Sequence, residues 1–271
     1  MFNGKAIYNP KGKAQEYSQW AVNFYNSCSG RCTYCYNNKG ITSKILGGDT
    51  PTLKKSLVDF DTAYKIFMSE ALLNLKELQE QGLHFNFVSD PFLQETYKLN
   101  TLAMRFCLIN SIPIKVLTKQ TWWVDDFEFE SDFNGTIWNM DNKIAKKFFA
   151  FGFTLTGHNE LEPGAATNNE RIEAMGGLHT AGFKTWASIE PIIDFESSYA
   201  MIQQTSQVCD LYKIGVLSGK KYDQTLLRKF VNHILWYEEI TPIYFKDSLL
   251  KQAGIDRKDL PKNCVNSDFK L

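Results

Sequence analysis

The sequence predicts an α/β protein, a partial (β/α)6 TIM-type barrel with parallel strands. Strand-like and helix-like segments alternate along most of the 271 residues, which is the pattern of βαβ units. No low-complexity segment, internal repeat or flexible linker divides the chain, and α/β barrels of this length fold undivided. Polar residues gather just beyond the predicted strands, at the face where such barrels carry their active sites.

The strands are predicted from short apolar runs bounded by turn residues. In chain order they are 19–25, 83–89, 112–118, 149–156, 184–190, 210–217 and 242–246. The first strand leads directly into a loop with three cysteines, so the cysteine loop follows strand 1. The stretch 121–148 has two adjacent tryptophans and an acidic run, and it is predicted as an irregular insertion or a loop-and-helix segment.

Apolar residues at helical spacing predict the crossover helices. They lie in 53–80, 96–110, the segment after Thr167, 195–209 and 222–238. Thr167 is followed three residues later by Glu170, and this spacing predicts a capping box at the start of its helix. We expect three regions, an N-terminal extension (1–18), the barrel domain (19–250) and a C-terminal tail (251–271).

The overall composition is that of an ordinary globular protein, with 44% hydrophobic and 22% charged residues. Lysine plus arginine equals aspartate plus glutamate at 30 each, so net charge does not indicate a nucleic-acid partner, although a local basic groove remains compatible with the sequence. The first residues lack the apolar core of a signal peptide. The apolar runs are shorter than a membrane span, so no membrane association and a cytoplasmic location are expected.

Three of the six cysteines form a tight cluster, Cys28, Cys32 and Cys35, with the spacing C-x3-C-x2-C. Thiolates this close in sequence favour soft metals, and an iron–sulfur cluster and zinc are the two serious options. A structural zinc site needs a fourth ligand, and the next Cys or His along the chain is His84. Three thiolates on a [4Fe-4S] cluster leave one iron open to bind a substrate directly.

The motif C-x3-C-x2-C, with the aromatic Tyr34 before the third cysteine, resembles the signature of the radical S-adenosylmethionine superfamily. The resemblance implies a partial barrel, a [4Fe-4S] cluster held by the three cysteines, and S-adenosylmethionine chelated by the open iron. It also implies reductive cleavage of S-adenosylmethionine to a 5′-deoxyadenosyl radical that abstracts a hydrogen atom from a substrate. An external one-electron donor of the flavodoxin or ferredoxin type is expected with it.

A narrower resemblance runs through most of residues 20–250. The sequences VSDPFLQET, LTKQ, ELEPGAATNNERIEAMGGLHTAGFKTWASIEPII and PIYFKDSL are similar to those of spore photoproduct lyase and of "DNA repair photolyase"-like proteins. This branch implies a nucleic-acid base or lesion as substrate. Spore photoproduct lyase carries a cysteine hydrogen-atom donor shortly after the cluster motif, but this chain has no cysteine between Cys35 and Cys107. The lyase mechanism is therefore not carried over.

The resemblance also implies contacts to the methionyl part of S-adenosylmethionine. The amino group is assigned to Ser89 and Asp90, and the carboxylate to Lys119 and Arg171. Structural interpretations stay open beside these roles. The aspartate before a proline can start a turn, the lysine can be solvated, and the arginine can pair with a glutamate in 160–162.

The remaining cofactor contacts implied by the resemblance belong to the ribose and the adenine. Candidates for the ribose hydroxyls are Thr154, Thr156, Ser188 and Glu190. Candidates for the adenine are the backbones of Tyr34, Gly215, Val216 and Leu217. The threonines are equally compatible with an ordinary strand composition.

Beyond the cofactors, His158 follows the fourth strand and is the candidate catalytic residue. Trp122, Trp123 and Phe127 are candidates for stacking on bases, or else for covering the barrel. Two alternatives to a nucleic-acid substrate remain. One is a radical enzyme acting on a small molecule or peptide, and the other is a non-catalytic zinc-binding module.

Overall fold

The structure is a computed structural model that describes residues 1–41, 43–125, 128–130, 137–139, 143–237 and 241–270. Its strands are β1 (Ile7–Tyr8), β2 (Ala21–Val22), β3 (Tyr25–Asn26), β4 (Thr52–Leu53), β5 (Leu83–Phe85), β6 (Ile114–Thr118), β7 (Glu128–Glu130), β8 (Ile137–Asn139), β9 (Phe149–Thr154), β10 (Lys184–Ile192), β11 (Tyr212–Val216) and β12 (Ile243–Phe245). Its α-helices are α1 (Ser43–Leu46), α2 (Phe60–Leu73), α3 (Leu75–Gln81), α4 (Gln94–Ile109), α5 (Lys143–Phe148), α6 (Asn168–Thr180), α7 (Phe195–Thr205), α8 (Gln224–Tyr237) and α9 (Asp247–Ala253).

One eight-stranded sheet organises the molecule, in the order β1-β2-β5-β6-β9-β10-β11-β12. All neighbours from β2 to β12 pair in parallel, and β1 adds to the edge of β2 in the antiparallel direction. Each of the seven predicted strand segments contributes one parallel strand. The predicted partial TIM-type barrel is thereby confirmed.

Two segments differ in detail from their predictions. The helix expected over 53–80 is split into α2 and α3 at Asn74, whose backbone leaves the helical region (ψ 20°) and whose side chain donates to the carbonyl of Glu70. The segment 121–148, expected as irregular or loop-and-helix, contains the antiparallel pair β7–β8 as well as α5. Trp123 in this segment is fully buried and stacks on Phe92 at 3.9 Å, so it covers the barrel. Phe127, the third stacking candidate, lies outside the described residues.

Other predictions hold closely. The capping box at the start of α6 is present, because the Thr167 side chain accepts from the Glu170 amide and the Glu170 side chain accepts from the Thr167 amide. Cys107 and Cys209 are buried among apolar neighbours. Among the described residues, no helix has both the length and the apolar character needed to cross a membrane.

Aromatic side chains fill the barrel interior beneath the strand ends. Trp186 on β10 lies across the interior, and Gly152 on the paired strand β9 makes room for it, because a Cβ there would stand 2.1 Å from the indole. Tyr17 packs beside the same indole at 5.9 Å between ring centroids. His84 stacks on Phe87 at 4.2 Å, and burial holds the pKa of this imidazole well below its usual value. This layer forms an apolar floor for the space above it.

The residues just before β2 are hydrogen-bonded to the last two strands of the sheet, β11 and β12. The Lys213 ammonium on β11 donates to the carbonyls of Glu16 (2.8 Å) and Tyr17 (3.3 Å). The Tyr244 hydroxyl on β12 donates to the Glu16 carboxylate at 2.9 Å. These contacts place the Tyr17 ring inside the barrel, beside Trp186. The boundaries of the expected extension, domain and tail stay a prediction.

Candidate cofactor site

A cavity of about 500 Å³ lies at the carboxyl ends of the parallel strands. Its wall includes all three clustered cysteines and residues that follow β5, β6 and β11. A pocket of this size suits a small-molecule ligand, and its position is the one that active sites occupy in α/β barrels. The strand-end polar residues and the cysteine loop therefore meet in one place.

The cysteine loop is short and contains two strained backbone positions. Ser27 and Arg31 have positive φ angles of 65° and 48°, which L-residues with side chains seldom adopt. Cys28, Cys32 and Cys35 are partly buried free thiols. Burial raises the pKa of the Cys28 thiol to about 11 and also raises the pKa of Cys32. A soft metal bound here must displace these protons, so its binding would become tighter with rising pH.

The described residues include no three His, Cys, Asp or Glu side chains grouped around a position for one metal ion. The sulfurs of a single zinc ion must converge, since each Zn–S bond is about 2.3 Å long. The ligands of a [4Fe-4S] cluster bind different irons and stand around the cluster. Three free thiols on one cavity wall supply three of the four ligands that such a cluster takes.

Several buried polar atoms of the cavity wall lack a hydrogen-bond partner within the described part of the chain. They are Ser89 Oγ, Asn37 Oδ1 and both side-chain polar atoms of Asn86. An unsatisfied buried polar group costs about 1–3 kcal/mol, so a polar ligand in the cavity would be stabilised by satisfying it. Ser89 was predicted to bind cofactor, whereas Asn37 and Asn86 were not.

Asp90 lines the cavity but directs its carboxylate into the protein. One carboxylate oxygen accepts from the Phe92 amide (2.9 Å) and the Thr118 hydroxyl (2.7 Å), and the other accepts from the Lys119 amide (2.7 Å). Burial raises the pKa of Asp90 and these hydrogen bonds oppose the rise. Asp90 thus joins the ends of β5 and β6. Its hydrogen bond from the Phe92 amide closes a turn, which is the structural interpretation that the sequence offered for this residue.

The two candidates for a methionyl carboxylate have different surroundings. Lys119 lines the cavity with its ammonium 5.7 Å from the centre of the Tyr34 ring. Burial lowers its pKa, while the neighbouring Cys32 and Glu162 raise it, and the net shift is upward. Arg171 is fully buried outside the cavity wall and pairs with Glu162. Only the lysine faces the cavity.

Ser188 and Glu190 stand together on the β10 side of the cavity. The Tyr17 hydroxyl lies 2.8 Å from the Ser188 hydroxyl and donates to the Glu190 carboxylate at 2.6 Å. The Lys246 ammonium pairs with the same carboxylate at 2.6 Å and lies 4.2 Å from the centre of the Tyr17 ring. Thr154 is a further wall residue. Together they present hydroxyl and carboxylate groups to a ligand.

The other candidates divide between the cavity wall and its support. Tyr34, Val216 and Leu217 line the cavity. Gly215 lies behind the wall, where a Cβ would come within 2.7 Å of the Lys246 side chain. Thr156 is also buried behind it, and its hydroxyl accepts from the His158 amide at 3.2 Å.

His158 is not among the residues that line the cavity. Its ring nitrogens contact the carboxylates of Glu160 at 2.7 Å and Asp194 at 2.5 Å. Burial lowers the pKa of His158 and these two carboxylates raise it, with a net rise. The geometry is that of a surface ion-pair cluster beside the barrel mouth.

Sequence reasoning missed Tyr17 and Lys246. The lysine follows β12 by one residue, so the strand-end rule applied to the last strand would have found it. The tyrosine precedes every parallel strand of the barrel, and the residues before β2 carry no motif that indicates a site. Its role became visible only through its contacts across the barrel.

No protein-family model matches the chain. The chain is 22% identical over 213 residues to the uncharacterized protein MJ0683 of Methanocaldococcus jannaschii, covering 75% of this chain and 72% of that protein. A crystal structure of Streptococcus suis SuiB bound to S-adenosylmethionine superposes with a TM-score of 0.54 at 12% identity. It covers 86% of this chain, and the chain spans about half (51%) of SuiB.

A second crystal structure of Streptococcus suis SuiB gives a TM-score of 0.46 at 13% identity, covering 68% of this chain and 44% of that one. At these identities the likeness concerns the fold. The chain therefore shares an α/β fold, with a mostly parallel sheet, with SuiB as solved with S-adenosylmethionine bound.

Proposed function

We propose that this chain is a radical S-adenosylmethionine enzyme. The observation that carries the proposal is the meeting of three free thiols and several unpartnered polar groups in one cavity at the barrel's strand ends. The fold shared with SuiB, which was crystallised with S-adenosylmethionine, supports it. The likeness to the photolyase-type branch remains part of the proposal.

In this proposal Cys28, Cys32 and Cys35 would hold a [4Fe-4S] cluster. When bound, the cluster would supply the electron that cleaves S-adenosylmethionine to the 5′-deoxyadenosyl radical, which abstracts a hydrogen atom from the substrate. Lys119 would attract the methionyl carboxylate, because its ammonium-bearing side chain is half-buried on the cavity wall. Ser89 would offer its unpartnered hydroxyl to the cofactor's polar groups.

The ribose hydroxyls would be held by Ser188 and Glu190, which the Tyr17 hydroxyl orients from the opposite side of the barrel. The Lys246 ammonium pairs with the Glu190 carboxylate and fixes its position, so it can accept hydrogen bonds from a diol. The aromatic floor beneath these residues would exclude water from the reacting atoms. The electron would come from an external carrier of the flavodoxin or ferredoxin type, in the cytoplasm.

For the substrate we infer a nucleic-acid base or lesion. Lys11, Lys13 and Arg31 are exposed cations that line the cavity, while the wall carboxylates of Asp90 and Glu190 are engaged within the protein. A cationic entrance would attract a phosphate backbone. A small molecule or a peptide with an anionic group is the alternative radical substrate.

Anaerobic reconstitution with iron and sulfide tests the cluster. We expect four irons per chain and reductive cleavage of S-adenosylmethionine to 5′-deoxyadenosine. Cys28→Ala should lose most of the iron. Cys107→Ala is the matched control and should keep its iron, because Cys107 is fully buried and is not a proposed cluster ligand. One tightly bound zinc per chain without cleavage would establish the zinc-binding alternative instead.

Nucleic-acid binding is tested by titrating single- and double-stranded DNA across a salt series. The affinity should fall with salt, because released counterions drive phosphate contacts. Replacing Lys11 and Lys13 by glutamine should reduce the slope by about one per lost contact, while Lys262→Gln, in the exposed tail, should not change it. Binding that is independent of salt would exclude the nucleic-acid substrate.

A further inference from the structure

Residues 161–166, which we call the brace, follow the fourth parallel strand and run between the cysteine loop and the end of β6. On one side, the Thr33 amide donates to the Leu161 carbonyl at 2.9 Å. On the other side, the Ala166 amide donates to the Lys119 carbonyl at 2.9 Å. The brace therefore connects the candidate cluster ligands to the barrel wall through backbone hydrogen bonds.

The brace approaches the cysteine loop too closely for a side chain. The Gly164 amide donates to the Gly30 carbonyl at 3.1 Å. A Cβ on Gly164 would stand 2.5 Å from the Ser29 carbonyl oxygen and 2.9 Å from the Gly30 Cα. Real Cβ atoms do not come this close to backbone, so glycine is the residue that permits this contact.

Glu162 adds a side-chain connection to the same loop. Its carboxylate accepts from the Tyr34 hydroxyl through one oxygen and from the Arg171 guanidinium through the other. Glu162 is 2% exposed and Arg171 is fully buried. The guanidinium also donates to the Thr154 carbonyl at the end of β9. Tyr34 is thus tied to the barrel by a buried chain of charged groups.

Tyr34 lies between two of the clustered cysteines, Cys32 and Cys35, so fixing its side chain fixes the backbone that presents both thiols. A free loop of this kind would have to be ordered when metal binds, and that ordering costs conformational entropy. We propose that Glu162 is a positioning residue that acts through Tyr34 to hold the cysteine loop in its metal-binding conformation. Arg171 neutralises the buried carboxylate and anchors it.

This inference rests on the proposed cluster, and residues behind a metal's direct ligands commonly change metal affinity about 10–100-fold when they are altered. Tyr34→Phe deletes only the hydroxyl and leaves the Glu162–Arg171 pair intact, so the fold should persist. Tyr25→Phe, on the strand β3 that leads into the loop, is the matched control, since it deletes the same hydroxyl from a tyrosine that belongs to neither the cysteine loop nor the brace. Glu162→Gln keeps an acceptor for Tyr34.

Three measurements report on the conformation and metal retention of the cysteine loop and do not depend on catalytic turnover. They are the rate of iron loss to a chelator under anaerobic conditions, the EPR spectrum of the reduced cluster, and hydrogen–deuterium exchange of residues 28–36 in the metal-free chain. For Tyr34→Phe we expect about tenfold faster iron loss, shifted g-values and faster exchange in the loop. Glu162→Gln should lie between Tyr34→Phe and the wild type, and Tyr25→Phe should match the wild type.

The outcomes separate the two proposals. If the wild type takes up iron and Tyr34→Phe matches it in iron loss, EPR spectrum and loop exchange, the positioning role is wrong while the cluster stands. If the wild type takes up no iron, the proposed function fails, and the positioning role fails with it. Faster iron loss in Tyr25→Phe equal to that of Tyr34→Phe would also overturn the inference, because the effect would not depend on the brace.

Discussion

Arg171→Met should destabilise the protein severely, although Arg171 is not itself a residue of the cavity wall. The guanidinium is fully buried and pairs with the carboxylate of Glu162, which is 2% exposed. Methionine preserves length and packing but leaves a buried carboxylate with only the Tyr34 hydroxyl as its partner. The substitution therefore measures the cost of leaving the buried Glu162 carboxylate without its cation, separately from any loss of packing.

The magnitude follows from the contacts that are lost. Removing one partner of a buried ion pair costs about 3–5 kcal/mol. The Thr154 carbonyl also loses its donor, which costs about 1–3 kcal/mol where no water replaces it. A domain is stable by only about 5–15 kcal/mol. Arg171→Met should therefore remove a large part of the free energy of unfolding.

Urea unfolding followed by tryptophan fluorescence measures this loss. Arg228→Met is the matched control, because this exposed arginine donates to the main-chain carbonyls of Ala253 and Gly254, and we expect a cost of about 1 kcal/mol. The double variant Glu162→Gln/Arg171→Met should recover at least half of the loss, since no buried charge remains. A single-variant loss below 1 kcal/mol, or no recovery in the double variant, would refute the reasoning.

Three further predictions concern stability and pH. Gly152→Ala should lower the free energy of unfolding by about 1–3 kcal/mol through overpacking against the indole, whereas Gly177→Ala, in open space within α6, should raise it by about 0.5–1 kcal/mol; equal effects in urea unfolding would contradict the packing argument. Lys246→Met should cost about 3 kcal/mol in the same assay, because it leaves the Glu190 carboxylate without its cation, and a double variant with Glu190→Gln should recover part of the loss. The raised pKa of His158 should stabilise the fold by less than about 1 kcal/mol below pH 6.5, and this contribution should disappear as the pH rises through the folded-state pKa; His158→Gln should then flatten the pH profile, and an unchanged profile would count against the surface cluster.

The parallel sheet was predictable because its strands are buried on both faces and are therefore apolar runs between turn residues. The same reasoning failed at Asn74, where a local side-chain bond to the backbone ends one helix and starts another without a change in apolar spacing. It also failed at β7 and β8, a short pair in an acidic and aromatic segment. Local hydrogen bonds determine these elements, and the spacing of apolar residues along the sequence carries no information about such bonds.

The candidate site was partly predictable because residues after parallel strands meet at one edge of a barrel. This argument found Ser89, Lys119 and Glu190, which line one cavity. It left two interpretations of Arg171 open, a cofactor contact and a pair with a nearby glutamate, and the structure shows the pair with Glu162. It did not find Tyr17, whose partners lie more than 170 residues further along the chain.

The attachment of the first residues to the last strands has a consequence for synthesis on the ribosome. The hydrogen bond between Glu16 and Tyr244 joins residues 228 positions apart, and contacts of such long range form late in folding. As the chain emerges, Tyr17 has no partner on β10 and no support from β12 until most of the protein has been translated. The three clustered cysteines are thus made early, but the wall opposite them closes only when the C-terminal strands arrive. A nascent chain would present its thiols openly for most of translation, so under the proposed function the cluster would be assembled after release of the chain.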